Sequence, residues 1–327
     1  MNKILITGAG ALLGQEIFHS LKHTSLISDL FIGFADPSPL AVGLHWADAS
    51  HKLPLASADN YIDALIELLR VNSYQFLIPG TDVELPKISC SRNLIEALTG
   101  CKVIVSSPDV IDIANDKLLT SAFLSSHEFS PPKSWSRESL MFEDFNLLPY
   151  PLIVKPRNGA RSIGVLRVEE PAQLMEAVSA TDNPVIQECI GSPDTEFTAG
   201  SLSFDGKCYS TILLRRTLRD GNTWTAQVVN DRILQDSIAK ISEALKPYGP
   251  CNFQFRLDSI GQPRIFEINA RFSGTTYMRT LSGFDEVAWS ILHAREGYLP
   301  DNCPLLFDEL FFMRSFSVTA LPHVPHP

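Results

Sequence analysis

Residues 251–277 run CNFQFRLDSIGQPRIFEINARFSGTTY. Asn252 to Asp258 alternates like a strand, Gly261-Gln262 turns the chain, and Arg264 to Ile268 returns. Residues two apart on a strand share a face. Glu267 and Asn269 therefore point the same way, and Gln254 on the facing strand can join them. A carboxylate and an amide within the apolar run Ile265-Phe266-Glu267-Ile268 are costly unless satisfied. An oxygen-only cluster of Gln254, Glu267 and Asn269 suits Mg²⁺, which also accepts phosphate oxygens. Arg271, on the same side, is placed to stabilise a transferring phosphoryl group. A polar edge strand is the competing reading.

Upstream, 150-YPLIVKPRNGARSIGVLRVEE-170 places a strand at Leu152 to Val154, Lys155 at its end, and a glycine loop from Gly159 to Gly164. Backbone N–H groups of such a loop can cover phosphates, with Lys155 as a point charge. An ordinary hairpin with a solvated lysine competes on even terms. In 184-PVIQECIGSPDTEFTAGSLSF-204, Cys189-Ile190-Gly191 resembles a crossing between two lobes. Backbone there can offer an N–H and a C=O to an adenine edge, and Glu196 can accept ribose hydroxyls. A surface glutamate at a strand start is the plainer alternative. Segment 106–135 changes character: a short helix starts at Ser107-Pro108, and Asn115-Asp116-Lys117 opens another that ends before Pro131-Pro132. Taken alone, Lys117 reads as a solvated helix lysine. In 213-LLRRTLRDGNTW-224, Arg215, Arg216 and Arg219 form a basic turn or a carboxylate clamp, and Arg216 is the favoured clamp residue.

The chain begins with 4-ILITGAGALLGQEI-17. Strand, glycine turn and helix alternate through Val105, which argues a doubly wound parallel sheet. Asp36 fits the acid of a dinucleotide fingerprint, but Leu13 stands where the third glycine belongs and Gly14 comes one residue late. No tyrosine is followed four residues on by lysine, so short-chain dehydrogenase chemistry has no proton-transfer pair. The glycines then serve a tight turn.

Composition bounds the rest. The chain has 327 residues, 45 % hydrophobic, with net charge −10 and scattered basic residues, which predicts two or three domains and argues against a nucleic-acid groove. Six cysteines lack C-x-x-C spacing, so buried free thiols in a reducing cytoplasm are expected. No apolar run reaches a membrane span, and no signal peptide is evident.

Four ordered segments, 115-NDK-117, 154-VKPRNGARSIGV-165, 186-IQECIG-191 and 265-IFEINARFSG-274, resemble the ATP-grasp superfamily. The pattern is similar to the ATP-grasp unit of carbamoyl-phosphate synthetase large subunits and to stand-alone carboxylate–amine ligases, over about residues 1 to 300. The resemblance implies a fold mixing α/β and α+β. It has a Rossmann-like pre-ATP-grasp domain (1–112), a small lobe (113–190), a large lobe with the metal site (191–300) and a tail (301–327) packing on the body. It implies phosphate-binding Lys117 and Lys155 with Ser162 in the loop, adenine contacts along Gln187, Glu188, Cys189 and Ile190, and Glu196 on the ribose. Gln254, Glu267 and Asn269 become metal ligands, and Arg271 and Arg216 catalytic arginines. Two departures stand out: a longer gap from Gly191 to Glu196, and Gln254 where many relatives have aspartate.

The implied activity is ATP-dependent joining of a small-molecule carboxylate to an amine through an acyl phosphate, releasing ADP and phosphate. The implied cofactors are ATP and Mg²⁺, with Mn²⁺ as a substitute. No nucleic-acid or membrane partner is implied; a homodimer and a cytoplasmic location are compatible. The alternatives are an NAD(P)-dependent epimerase or reductase using the N-terminal glycines, and a non-catalytic nucleotide-binding protein.

Overall fold

A computed structural model describes residues 1–159, 163–297, 299 and 309–321. The chain opens with β1 (Asn2–Thr7), α1 (Leu12–His23), β2 (Leu30–Asp36), β3 (Ala49–Lys52), α2 (Tyr61–Asn72), β4 (Phe76–Ile78), α3 (Leu85–Thr99) and β5 (Lys102–Val103). These strands form a parallel sheet in the order β3-β2-β1-β4-β5. Ile4, Leu5 and Ile6 of the central strand are wholly buried, as a sheet covered on both faces requires. The edge strand β3 was not foreseen, because Ala49-Ser50-His51-Lys52 carries no apolar pattern. β5 stops two residues short of the expected Val105.

The glycines after β1 pack the turn against its own backbone. A Cβ on Gly14 would meet the Gly8 carbonyl oxygen at 2.4 Å; from the turn after β4, one on Gly80 would meet that of Thr7 at 2.1 Å. Gly8 takes φ +67°. The Asp36 carboxylate accepts N–H bonds from Gly10 (2.9 Å) and Ser38 (2.9 Å), so the acid of the partial fingerprint braces the loop.

Two helices follow, α4 (Pro108–Asn115) and α5 (Lys117–Ser126). Asp116 caps α5 by accepting from the N–H groups of Leu118 (2.9 Å) and Leu119 (3.1 Å). A four-stranded antiparallel sheet comes next: β6 (Ser134–Ser136), β7 (Leu152–Pro156), β8 (Leu166–Val168) and β9 (Pro184–Glu188), ordered β6-β9-β7-β8. It carries α6 (Arg137–Leu140) and α7 (Pro171–Ala180).

The third sheet is antiparallel, ordered β14-β13-β10-β11-β12-β15. Its strands are β10 (Glu196–Phe204), β11 (Lys207–Arg219), β12 (Asn222–Val229), β13 (Gly249–Leu257), β14 (Pro263–Asn269) and β15 (Phe311–Met313). Helices α8 (Arg232–Leu245), α9 (Thr276–Leu281) and α10 (Glu286–Glu296) accompany it. Every residue of β10 is buried. Its polar side chains are satisfied: Thr198 donates to Asn252 (2.7 Å), and Ser201 and Ser203 bond Ser242 at 2.7 and 2.8 Å. β15 pairs with β12, so the described part of the tail lies on the body.

Among the described residues no helix is long and apolar enough to cross a membrane. Cys101 and Cys251 are buried as expected, but Cys90 is exposed on α3, outside the apolar stripe; Cys303 lies outside the described residues.

Candidate active site

Between the second and third sheets lies a cleft of about 180 Å³. Apolar walls come from Ile153, Val165, Leu218 and Phe266, and polar groups from Lys117, Lys155, Glu196 and Glu267. β7 brings in Lys155, which is 6 % exposed. Its ammonium donates to Gln187 Oε1 (2.8 Å) and sits 5.3 Å from the centre of the Phe266 ring. Burial pushes its pKa down to about 8, against the opposing pull of Glu267. Gln187 is held in turn by donating to Ser134 (2.9 Å). Burial also lowers the Lys117 pKa. That lysine donates to the carbonyls of Arg157 (3.3 Å) and Gly159 (3.0 Å), at the stem of the glycine loop. Asp116 completes the stem by accepting from Arg157 (2.7 Å). Ser162 lies outside the described residues.

At the expected lobe crossing, the Cys189 N–H donates to the Pro151 carbonyl (3.2 Å). Among the described residues the Ile190 N–H has no acceptor, so it is the donor left for a base edge. The Glu188 side chain turns away to the Lys133 N–H (3.2 Å) and Arg264 (3.5 Å).

Glu196 starts β10 and is buried, not a surface cap. Its Oε1 accepts from Arg216 (3.0 Å) and its Oε2 from Arg256 (2.8 and 3.0 Å). A ribose would share this carboxylate with two guanidinium groups. Arg256 was missed in the sequence, although it stands opposite Glu196 in the β10–β13 register. Of the three arginines in the basic turn, only Arg216 faces inward. Arg215 donates outward to Gln227 (2.8 Å), and Arg219 stacks over Trp224 (4.5 Å).

Gln254, Glu267 and Asn269 do meet. Gln254 and Glu267 are partners in the β13–β14 register. The amide nitrogens of Gln254 (3.1 Å) and Asn269 (2.9 Å) both donate to Glu267 Oε1. Their amide oxygens face arginines: Gln254 Oε1 accepts from Arg216 (2.8 Å) and Asn269 Oδ1 from Arg271 (3.0 Å). Among the described residues nothing donates to Glu267 Oε2. The donor set suits an ion held by one carboxylate and completed by phosphate oxygens and water, the usual habit of Mg²⁺. Asn269 would join after turning its amide over.

Arg271 is gripped from the N-terminal sheet. Its Nε donates to Asp82 Oδ1 (2.6 Å) and its Nη2 to Asp82 Oδ2 (3.2 Å), while Nη1 donates to the Phe272 carbonyl (2.9 Å). Asp82 lies 189 positions away, and no local pattern announces it. Arg271 borders a second, polar cavity of about 80 Å³, which shares Gln254 and Glu267 with the cleft. Leu12 and Leu13 at the start of α1 form its N-terminal wall.

Comparison with known proteins bears on the fold. Residues 189–306 match the family described as "ATP-grasp in the biosynthetic pathway with Ter operon". The N5-carboxyaminoimidazole synthetase of Staphylococcus aureus, solved with ADP, superposes with a TM-score of 0.73 over 94 % of this chain and 82 % of its own, at 17 % identity. The chain has the ATP-grasp fold.

The L-amino acid ligase of Bacillus licheniformis shares this ATP-grasp fold with a TM-score of 0.66, 19 % identity, and coverage of 90 % of this chain and 74 % of that one. The ATP-grasp enzyme fsqD of Aspergillus fumigatus is 40 % identical over 80 residues, 24 % of this chain and 14 % of that protein. This chain therefore matches only about a seventh of its curated relative.

Proposed function

We propose that this protein is an ATP-dependent carboxylate–amine ligase working through an acyl phosphate. The observation that carries the reading is the pair of cavities meeting at Glu267. One is apolar-walled with two lysines; the other is polar with two arginines. A nucleotide in the first and an acid in the second would put a γ-phosphoryl group and a carboxylate on either side of that glutamate.

On this reading the walls at Ile153, Val165 and Phe266 hold the base, and the Ile190 N–H meets its edge. Glu196 orients the ribose. Lys155 and Lys117 neutralise the phosphates, and phosphate binding restores the proton affinity that burial takes from Lys155. Glu267 and, with its amide turned, Asn269 would hold Mg²⁺, which supplies charge neutralisation between phosphate oxygens. Arg271 stabilises the equatorial oxygens of the group in transfer. The substrate carboxylate oxygen attacks the γ-phosphorus, the β–γ bridging bond breaks, and ADP leaves. An amine then attacks the acyl carbon and expels phosphate. Arg216 holds the acid in line for both steps.

Two measurements test this. Mg·ATP should raise the unfolding temperature, and removing Mg²⁺ should abolish the shift; saturation at about 100 times Kd contributes roughly 2.7 kcal/mol. Glu267→Ala should reduce acid-dependent ADP release at least about a hundredfold while the protein remains folded. Unchanged turnover in that variant would remove the basis of the reading.

A further inference from the structure

The polar cavity is small and differs in chemistry from the cleft beside it. At roughly 10–15 Å³ per water-sized occupant, its 80 Å³ admits about five to eight non-hydrogen atoms. Leu12 and Leu13 supply its aliphatic side chains; hydroxyls of Thr198, Thr223, Ser273 and Thr275 face the same space. The leucine wall cannot retreat. Leu12 Cδ2 already lies 3.0 Å from where a Cβ on Gly274 would stand. Arg314 bonds the Gly274 carbonyl from behind and pairs with buried Glu16 (2.7 Å), pinning the 273–275 rim to α1.

The unfilled donors favour an anion. Around the cavity three carboxylates, Asp82, Glu196 and Glu267, face three guanidinium groups, Arg216, Arg256 and Arg271. Charge is balanced, so the pull on an oxyanion comes from Arg216, which borders the cavity. Its Nη2 is fully engaged, but among the described residues Nη1 has a single 3.4 Å contact with Thr223 Oγ1 and Nε has no partner. A buried guanidinium with so few acceptors gains most from an incoming oxyanion.

Resting on the ligase reading, we infer that the acid substrate is a small, oxygen-rich carboxylate of the hydroxy- or dicarboxylic class, bound between Arg216 and the hydroxyls of the polar cavity. Alkyl chains and aromatic rings are excluded by volume. Short aliphatic acids are disfavoured because they would set methyl groups against these polar side chains where a substrate oxygen could bond their remaining lone pairs.

Calorimetric titration of the Mg·ADP-loaded full chain tests this with lactate, malonate, butyrate (matched in size to lactate), alanine, octanoate and benzoate. Lactate or malonate should bind at least tenfold more tightly than the other four. Thr223→Val should weaken the preferred acid several-fold, and Leu12→Trp, which fills the cavity, should abolish its binding; both should leave Mg·ADP affinity unchanged. Tighter binding of butyrate, octanoate, benzoate or alanine would overturn the inference, as would acid binding indifferent to Leu12→Trp. Mg·ADP binding with no response to any acid would overturn it while leaving the ligase reading intact. Failure to bind Mg·ADP or Mg·ATP would remove the ligase reading itself.

Discussion

Two glycine-bearing loops follow strands in this chain, and they do opposite things. The loop after β1 is closed against backbone: the Gly8 carbonyl oxygen lies 2.4 Å from where a side chain would begin at Gly14, and that of Thr7 lies 2.1 Å from where one would begin at Gly80, in the turn after β4. Thr7, at the strand end, donates to Glu84 (2.7 Å) and accepts from the Gly80 N–H (3.1 Å). The loop after β7 differs at its described start: among the described residues a Cβ on Gly159 would meet nothing within 4 Å, and Gly159 borders the cleft. At that strand end stands Lys155, buried with a single hydrogen bond. One loop is satisfied and serves the fold. The other carries an under-partnered charge, as a site awaiting an anion must.

Substitutions can break or sharpen this contrast. The largest effect is expected at Gly14, which lies in α1. Helix propensity alone favours alanine there by about 1 kcal/mol. The clash with the Gly8 carbonyl outweighs it, so Gly14→Ala should lose about 2–3 kcal/mol in urea unfolding. A gain in stability would show that the first loop is not closed.

Lys155→Met should move stability the other way. A lysine titrating at about 8 in the fold and 10.5 unfolded binds fewer protons when folded between those values. Stability therefore rises with pH across that window, and below pH 8 the folded protein carries the full penalty. At pH 7 the methionine variant should unfold several degrees higher without nucleotide, yet lose Mg·ATP stabilisation. The difference between the two proteins should shrink from pH 8 to 10.5; a constant difference would contradict the buried-charge account.

Asp82→Asn probes the contact joining the N-terminal sheet to the site. Loosening the Arg271 fork should lower kcat by about tenfold and leave the KM for ATP unchanged. A matching rise in that KM would place Arg271 in ground-state nucleotide binding. Gly159→Ala should cost the fold less than Gly14→Ala, about 1–2 kcal/mol, because its φ of +135° disfavours a side chain although no clash opposes one, while weakening ATP binding several-fold. A loss as large as that at Gly14 would erase the distinction between the loops.

Much of the site was legible because its signals are local. Strand alternation alone places Gln254, Glu267 and Asn269 on one face. The capping position of Asp116 follows from its place before an apolar helix, and the two glycine segments announce turns. Misreadings also had local causes. Arg256 drew no notice within the alternating strand 252–258, since nothing local points it at Glu196, and Cys90 was assigned to the core by residue type alone. Seven further polar residues of the second cavity, Asp82, Thr198, Asn222, Thr223, Asn252, Ser273 and Thr275, come from five separate segments. No single window contains them.

By itself the sequence determined the alternation of strand and helix in the first, parallel sheet, the hairpin bearing the acidic centre, and the face shared by Glu267 and Asn269. Hydrophobic periodicity and turn chemistry act within a dozen residues and need no knowledge of the rest. Only the tertiary structure decided which charges meet. Arg271 found Asp82 across 189 positions and Arg314 found Glu16 across 298, while Glu196 was shared between Arg216 and Arg256. Ion pairing depends on distance and burial, and both are set by how the sheets dock.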